Sequence, residues 1–397
     1  FAHTITEALP DLKNLESAVV VAPGDLLGWK GFLVNLVSRW VKKSVKPFRL
    51  PASMRYWHFS HLAGPQSFRP PEIKADDLAF LQYTGGTTGI SKGAMLTHRN
   101  ITVNVMQAEC WLGPHFPNEQ HQVMYTVLPL YHIFALTACC MFMTKIGGTQ
   151  ILIANPRDIP ALVKELQKRA PTILGMVNTL FNVLARAPGI EKVDFSKLKV
   201  SIAGGMATQA AVARSWHDLT GKPITEAYGL SETSPLACSN RPDLTEFTGT
   251  VGYPVSSTDV SIRTPDNEIL PIGEPGEVCI RGPQVMAGYW QRPDETAKSM
   301  TADGFFRTGD VGILLADGQV KLVDRIKDMI VVSGLKVFPN EVEDVLASHP
   351  DVVEAAVIGI ADEHSTEAVA AYLVLREGAN VTGEEIRQFA RQKLTGY

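Results

Sequence analysis

Short apolar runs alternate with amphipathic segments between residues 78 and 228. Segments 159–169 and 208–219 repeat their apolar residues at helical spacing. The apolar runs have the length of buried strands and occupy residues 79–83, 123–128, 149–154, 172–176 and 200–203. This alternation predicts an α/β fold with a mainly parallel sheet.

The pattern changes after residue 249, where short β-like runs are broken by glycine and proline. Asp317-Gly318 lies between apolar flanks, which is typical of a hairpin turn. We therefore predict a large domain over 1–323 that ends in a β-rich subdomain at about 249–323, and a small α+β domain over 324–397. In the small domain we expect a helix, two strands and a last helix. Thr382 and Glu385 have the spacing of a capping box for that last helix.

Residues 28–46 combine apolar positions at helical spacing with several basic side chains, and no acidic residue occurs from 26 to 71. The pattern predicts a basic amphipathic helix that ends before Pro47. Two interpretations stay open. The helix either packs on its own domain or lies against an anionic membrane surface.

The composition is that of a globular protein rather than a low-complexity one, with 45% apolar and 20% charged residues among 397. A net charge of -4 argues against a nucleic-acid partner, because there is no excess of cations to neutralise phosphates. The longest apolar stretch, 133–143, is much shorter than the roughly 20 residues that cross a bilayer. Five scattered cysteines form no metal pattern, so we expect a reducing, cytoplasmic location.

The segment Tyr83-Thr-Gly-Gly-Thr-Thr-Gly-Ile-Ser-Lys-Gly-Ala-Met-Leu96 concentrates the groups that bind phosphate. Its glycines let backbone N–H groups converge on an anion, while its hydroxyls and Lys92 add donors and a positive charge. No Gly-Lys-Ser/Thr sequence occurs in it, so it is not a Walker A loop. The segment predicts a triphosphate site between a strand and a helix that opens near Thr97.

Further motifs follow in order and cover the whole chain. They are Leu128-Pro-Leu-Tyr-His-Ile-Phe134, Ala203-Gly-Gly-Met206, Ala227-Tyr-Gly-Leu-Ser-Glu-Thr233, Phe306-Arg-Thr-Gly-Asp310 and Asp324-Arg-Ile-Lys-Asp-Met-Ile330. Together with the phosphate loop, this set resembles the adenylate-forming superfamily, and most closely its bacterial long-chain fatty-acid:CoA ligases. The resemblance implies a large adenylation domain that joins a fatty acid to ATP, releases pyrophosphate and passes the acyl group to coenzyme A.

The same resemblance assigns roles to individual residues. It implies catalytic roles for Lys92, His132 and Glu232, with Glu232 also the ligand for Mg²⁺. The implied nucleotide-binding residues are Thr84, Gly85, Gly86, Thr87, Thr88, Gly89, Lys92, Gly204, Gly205, Met206, Tyr228, Gly229, Ser231, Asp310 and Arg325. Asp324 would be the hinge of the small domain, and Gly334 would lie along the coenzyme A channel.

The resemblance also places the acyl pocket among segments 132–143, 175–181 and 204–206. No charged side chain that could pair with an ammonium group occurs from 130 to 143, which favours an apolar acid over an amino acid. Medium-chain, aryl and fatty-acyl-AMP ligases stay open as alternatives, as does a non-catalytic acyl-nucleotide-binding fragment. A homodimer and contact with the inner-membrane surface also stay open.

Two parts of the family pattern are expected to lie outside these 397 residues. One is the N-terminal part of the large domain. The other is a catalytic lysine, which relatives carry on a loop after the position of Tyr397. By this expectation the chain binds nucleotide but is impaired in adenylation.

Overall fold

The computed structural model describes residues 2–12, 14–15, 17–25, 27–48, 55–58, 69–85, 91–116, 121–362 and 365–394. The chain forms two compact units, Phe1–Ile73 and Lys74–Tyr397. The first unit contains α1 (Ala2–Ala8), β1 (Ser17–Val20), α2 (Trp29–Leu36) and β2 (Arg55–His58). Its two strands pair in parallel.

The predicted helix over 28–46 is shorter than expected. α2 ends at Leu36, and Val37–Val41 continue as one π-helical segment. Gly28 precedes the helix with a φ of 57°, a conformation that favours glycine and sets the start of α2. Large apolar side chains on this segment are exposed, including Trp29 at 75% and Trp40 at 70%.

The second unit begins with two strands and then alternates helices with strands. Its first elements are β3 (Leu78–Thr84), β4 (Lys92–Thr97), α3 (His98–Leu112), β5 (Val123–Thr126), α4 (Phe142–Lys145), β6 (Thr149–Leu152), α5 (Ile159–Lys168), β7 (Ile173–Met176), α6 (Asn178–Ala185), β8 (Val200–Ala203), α7 (Ala210–Thr220), β9 (Ile224–Gly229) and β10 (Leu236–Ser239). A seven-stranded sheet of order β11-β10-β9-β8-β7-β5-β6 forms its centre, with β11 (Tyr253–Pro254) at one edge. Strands β5 to β9 pair in parallel, so the predicted α/β fold with a mainly parallel sheet is confirmed.

The core lies between this sheet and helices α5, α6 and α7. Trp216 of α7 is completely buried and meets the ring of Phe181 edge-on, with 4.9 Å between centroids. Leu162 and Leu166 of α5 belong to the same buried cluster. The apolar spacing of these helices therefore faces the sheet, as the sequence pattern predicts.

The strand predicted at 79–83 forms, but its place differs from the prediction. β3 pairs antiparallel with β4 in a separate two-stranded sheet. The residues from Lys92 to Leu96, expected to belong to the phosphate loop, are therefore strand. Apolar periodicity identifies a strand but not its partner, which explains the error. α3 then opens at Thr97, whose hydroxyl accepts from Asn100 N at 3.2 Å.

The remaining strands and helices are β11 (Tyr253–Pro254), β12 (Asp259–Arg263), β13 (Gly276–Arg281), α8 (Pro293–Ser299), β14 (Phe306–Leu314), β15 (Val320–Arg325), β16 (Ile330–Val332), β17 (Leu335–Val337), α9 (Pro339–Ala347), β18 (Val352–Asp362), β19 (Thr366–Leu375) and α10 (Gly383–Arg391). β12 to β15 form an antiparallel sheet, and Gly318 turns its last hairpin with a φ of 86°. The small α+β region and its capping box at Thr382 and Glu385 are present as predicted.

The domain boundary at 323/324 stays a prediction. Within the described ranges, no helix is long and apolar enough to cross a membrane.

Candidate active site

A cavity of about 630 Å³ in the second unit brings together most of the residues singled out in the sequence. Its volume is typical of a site for a small organic ligand. The lining includes Thr84, Gly85, Lys92, His132, Gly204, Gly205, Tyr228, Gly229, Ser231, Glu232, Asp310 and Arg325. The phosphate loop and the five further sequence motifs thus converge on one space.

Other predicted residues lie elsewhere. Met206 is half exposed and lines a second, smaller cavity of about 160 Å³. Asp324 and Gly334 are not among the residues that line the large cavity. Gly86, Thr87, Thr88 and Gly89 are four of the seven loop residues predicted to bind nucleotide, and they lie outside the described residues.

Lys92 begins β4, so its position is set by the strand ladder rather than by a flexible loop. Its ammonium group forms an ion pair with the Glu295 carboxylate of α8. The ammonium also lies 5.3 Å from the centroid of the Tyr289 ring, where a cation is attracted to the π face. Lys92 is therefore held by two groups that the sequence analysis did not single out.

Glu232 is buried in a short 3₁₀ turn, Ser231–Thr233, on the cavity wall. Its Oε1 accepts a hydrogen bond of 2.7 Å from the Tyr289 hydroxyl. Its backbone carbonyl accepts from Met286 N at 2.8 Å. The carboxylate is consequently oriented before any ligand arrives.

Mg²⁺ binds through one or two carboxylates, substrate phosphates and waters, and the Glu232 carboxylate on the cavity wall fits such an ion. Among the described residues no cluster of three or more His, Cys, Asp and Glu side chains could hold a metal by itself.

Tyr228, Asp310 and Arg325 form one hydrogen-bonded group. The Tyr228 hydroxyl donates to Asp310 Oδ2 at 2.6 Å, and Arg325 Nε lies 3.2 Å from Oδ1. Burial raises the pKa of Asp310, while the bonds from Tyr228 and Arg325 act in the opposite direction. A carboxylate has about four acceptor positions, so two remain for the vicinal hydroxyls of a ribose.

His132 lies on the cavity wall after the Leu128-Pro-Leu-Tyr segment. Its Nδ1 is 3.3 Å from Phe134 N and accepts from it, which leaves the proton on Nε2. Desolvation lowers the pKa of His132, so the ring is neutral at pH 7. A neutral Nε2–H can donate to a carboxylate substrate.

Gly204 and Gly205 line the cavity. A Cβ on Gly204 would lie 3.2 Å from Ala227 O and 3.3 Å from the Phe134 ring. Gly205 has a φ of 83°, which favours glycine. Larger residues are therefore disfavoured at both positions.

Only part of the predicted acyl-pocket segments lines the apolar part of the cavity. Phe134 and Phe142 line it, as predicted for segment 132–143. Met176 and Leu180 instead pack into the core beneath the sheet, which removes segment 175–181 from the lining. The opposite wall comes from α3, through Asn104, Ala108, Trp111 and Leu112. The amphipathic pattern of α3 could not identify this wall, because core packing produces the same pattern.

Asp324, the predicted hinge, is buried. Asp324 Oδ2 accepts from Asn340 N at 2.9 Å, in the first turn of α9, and Oδ1 accepts from Arg325 N at 2.7 Å. One carboxylate therefore joins the end of β15 to the start of a helix in the small region. Gly334 occupies an exposed turn between β16 and β17 with a φ of 84°.

Comparison with known families gives two matches. Residues 19–290 match the family described as AMP-binding enzyme, and residues 341–397 match the AMP-binding enzyme C-terminal domain. These matches confirm the superfamily that the motifs resemble.

Similar proteins agree with this result. The chain is 45% identical over 398 residues to a long-chain-fatty-acid–CoA ligase of Yersinia pestis, covering 100% of the chain and 70% of the relative. It is 44% identical over 398 residues to the enzyme of that name from Escherichia coli O6:H1, with the same coverage. Among solved structures, ATP-bound MatB from Rhodopseudomonas palustris superposes with a TM-score of 0.80 and 27% identity, covering 96% of this chain and 73% of that one.

Proposed function

The chain belongs to the AMP-binding enzyme family, and from this premise we propose that it is the nucleotide- and acyl-binding part of a long-chain fatty-acid:CoA ligase. The observation that carries the proposal is the cavity itself, where Lys92, Glu232 and Asp310 share one space with Phe134, Phe142 and the wall of α3. A polar end for a nucleotide continues into an apolar end for an acyl chain. The similarity to ligases of that name extends over the full chain.

The reaction joins two anions, which is why the site is built from fixed donors. A carboxylate oxygen of the fatty acid attacks the α-phosphorus of ATP, and the bond to the bridging oxygen of pyrophosphate breaks. The thiol of coenzyme A then attacks the acyl carbon, and AMP leaves. Phosphoryl transfer of this kind depends mainly on positioning and on neutralisation of charge.

Each group in the cavity has a part in this scheme. Lys92 and the hydroxyl of Thr84 bind the β- and γ-phosphates, together with the loop residues Gly85 to Gly89. Ser231 contacts the α-phosphate, and His132 donates Nε2–H to the fatty-acid carboxylate.

The nucleoside is held at the opposite end. The Gly204-Gly205 backbone and Tyr228-Gly229 enclose the adenine, and Asp310, supported by Arg325, accepts the ribose hydroxyls. Mg²⁺, held by Glu232, would neutralise phosphate charge when bound.

Two further parts of the proposal concern the wider protein. Gly334 lies along the path of coenzyme A, and the natural protein is cytoplasmic.

We also propose that the segment from Trp29 to Lys46 contacts the inner-membrane surface. Trp29, Phe32 and Trp40 are each about two-thirds to three-quarters exposed, beside Arg39 and Lys42. Anionic vesicles should bind the chain, and binding should fall with salt, because exposed charge attraction is screened within about 10 Å at 0.1 M. A Trp29→Ser/Phe32→Ser variant should lose most of the binding. Equal vesicle binding by the variant and the original chain would contradict the proposed membrane contact.

Pyrophosphate exchange by the natural protein tests the function. Labelled pyrophosphate should be incorporated into ATP when palmitate or oleate is supplied. Acyl-CoA should accumulate once coenzyme A is added. Faster exchange with octanoate would indicate a medium-chain ligase. Faster exchange with benzoate would indicate an aryl ligase. Exchange without acyl-CoA would assign an acyl-AMP ligase.

A further inference from the structure

The lysine assigned to ATP phosphate already has an anionic partner in the structure. The Lys92 ammonium is paired with the Glu295 carboxylate, and the two side chains are only 15% and 13% exposed. A carboxylate thus occupies one of the positions around the ammonium that a phosphate oxygen would take.

This partner is held in place by backbone contacts. Trp290 N donates to Gly93 O at 2.8 Å, and Met95 N donates to Gly288 O at 2.9 Å, so the chain before α8 is paired with β4. The Thr296 hydroxyl accepts from Tyr289 N at 2.8 Å and joins α8 to the same segment. Glu295 therefore lies beside Lys92 because two rigid elements are tied together.

Glu295 also has two other cationic neighbours. Lys298 Nζ is 2.9 Å from Oε1, and Arg292 Nη2 is 3.9 Å from the same oxygen. If Lys92 turned away, the carboxylate would keep these two partners. The loss of Lys92 would then leave the Glu295 carboxylate paired. Breaking a partly buried ion pair costs much free energy only when it leaves a charge without a partner.

We propose that Glu295 is a positioning residue that competes with ATP phosphate for Lys92. In the nucleotide-free protein the carboxylate holds the ammonium at the cavity wall. When a triphosphate or pyrophosphate binds, Lys92 exchanges the carboxylate for a phosphate oxygen, and Lys298 and Arg292 retain Glu295. When pyrophosphate leaves, Glu295 takes Lys92 back, which favours product release. The inference rests on the proposed assignment of Lys92 to the phosphates.

The test is the affinity of the full chain for magnesium pyrophosphate and MgATP, measured by calorimetry. Glu295→Gln keeps the shape of the side chain and removes its charge. We expect it to bind both ligands about three- to tenfold more tightly, the size of one partly exposed ion pair. In a Lys92→Ala background the same substitution should give no gain, because the competition requires the ammonium.

Asp294→Asn is the matched control. Asp294 lies next to Glu295 on α8 and is more exposed at 59%, and its ion-pair partner is Arg292. The control changes the net charge equally, so its affinity should stay within about twofold of the original chain. An equal gain in this variant would mean a general charge effect and would overturn the inference.

Unchanged or weaker binding by Glu295→Gln, with a thermal unfolding midpoint like that of the original chain, would also overturn it. Absence of MgATP binding by the original chain would count against the proposed function instead. Binding by the original chain without a gain in Glu295→Gln would count against this inference alone.

Discussion

The Tyr289 hydroxyl donates a hydrogen bond of 2.7 Å to Glu232 Oε1, although 57 positions separate the two residues. The ring of the same tyrosine lies 5.3 Å from the ammonium of Lys92. One side chain therefore contacts both the proposed metal ligand and the proposed phosphate-binding lysine. The spacing between these two charges is set by Tyr289.

Tyr289→Phe removes the bond to Glu232 and keeps the ring beside Lys92. We expect kcat/KM for MgATP to fall about tenfold, the size of one hydrogen bond to a charged group, and half-saturation by Mg²⁺ to need a higher concentration. Titration of Mg²⁺ at fixed ATP measures the second effect. Tyr372→Phe, at an exposed tyrosine of β19, is the control. An unchanged Mg²⁺ requirement in Tyr289→Phe would show that the bond does not orient Glu232.

Substitution of Lys92 should mainly affect ATP binding, whereas substitution of Glu232 should mainly affect metal-dependent turnover. Lys92→Ala should weaken MgATP binding by about 10- to 100-fold, because the phosphates lose charge-assisted hydrogen bonds. Glu232→Ala should abolish metal-dependent turnover. Calorimetry and turnover together separate the two roles. Unchanged ATP affinity in both variants would show that the phosphates do not bind in this cavity.

Lys92 and Glu232 could be identified from the sequence, whereas Tyr289 and Glu295, which contact them, could not. Lys92 and Glu232 belong to short motifs whose residue types state their chemistry. Tyr289 and Glu295 reach them only after β4 pairs with the chain before α8, a contact across 203 positions in the case of Lys92 and Glu295. A tyrosine and a glutamate in a polar stretch carry no local signal of such a contact.

The same limit applies to the fold. The parallel sheet, α5, α7 and the capped helix α10 follow from periodicity and capping residues, which are local. The antiparallel pairing of β3 with β4 and the place of α3 on the cavity wall depend on long-range packing. Apolar patterns do not distinguish a core face from the wall of an apolar pocket.

Glu226 on β9 offers a test by pH. It is buried, and burial raises its pKa to about 8, while the contact with Thr208 acts in the opposite direction. The folded protein thus binds this proton more tightly than the unfolded chain. The stability gained in this way is complete below the ordinary glutamate pKa and is lost as pH rises through about 8.

Glu226→Gln is uncharged at every pH, so it should raise the thermal midpoint over the original chain more at pH 9 than at pH 5, by about 2–4 °C for each kcal/mol. Glu268→Gln, at an exposed carboxylate, should show no such trend. A gain that does not depend on pH would contradict the buried, protonated state of Glu226.

Asp324 joins β15 to α9, and this contact must change if the small region rotates. Asp324→Pro fixes φ and removes the carboxylate. In the natural protein it should impair thioester formation more than adenylate formation, as measured by acyl-CoA release and pyrophosphate exchange. Asp324→Ala removes the carboxylate alone and separates the two effects. Equal losses in both half-reactions of the proline variant would mean that Asp324 is not the pivot.

Affinity for stable acyl-AMP analogues tests whether one cavity binds both a nucleotide and an acyl chain, because such a ligand must occupy the nucleotide end and the apolar end at once. Acyl-sulfamoyl adenosines with saturated chains of increasing length, together with benzoyl and aminoacyl analogues, would be titrated into the chain by calorimetry. We expect affinity to rise with chain length, by at most about 0.8 kcal/mol for each buried CH₂, and then to level off at long chains. Tightest binding of the benzoyl or aminoacyl analogue, or an affinity that does not change with chain length, would contradict it.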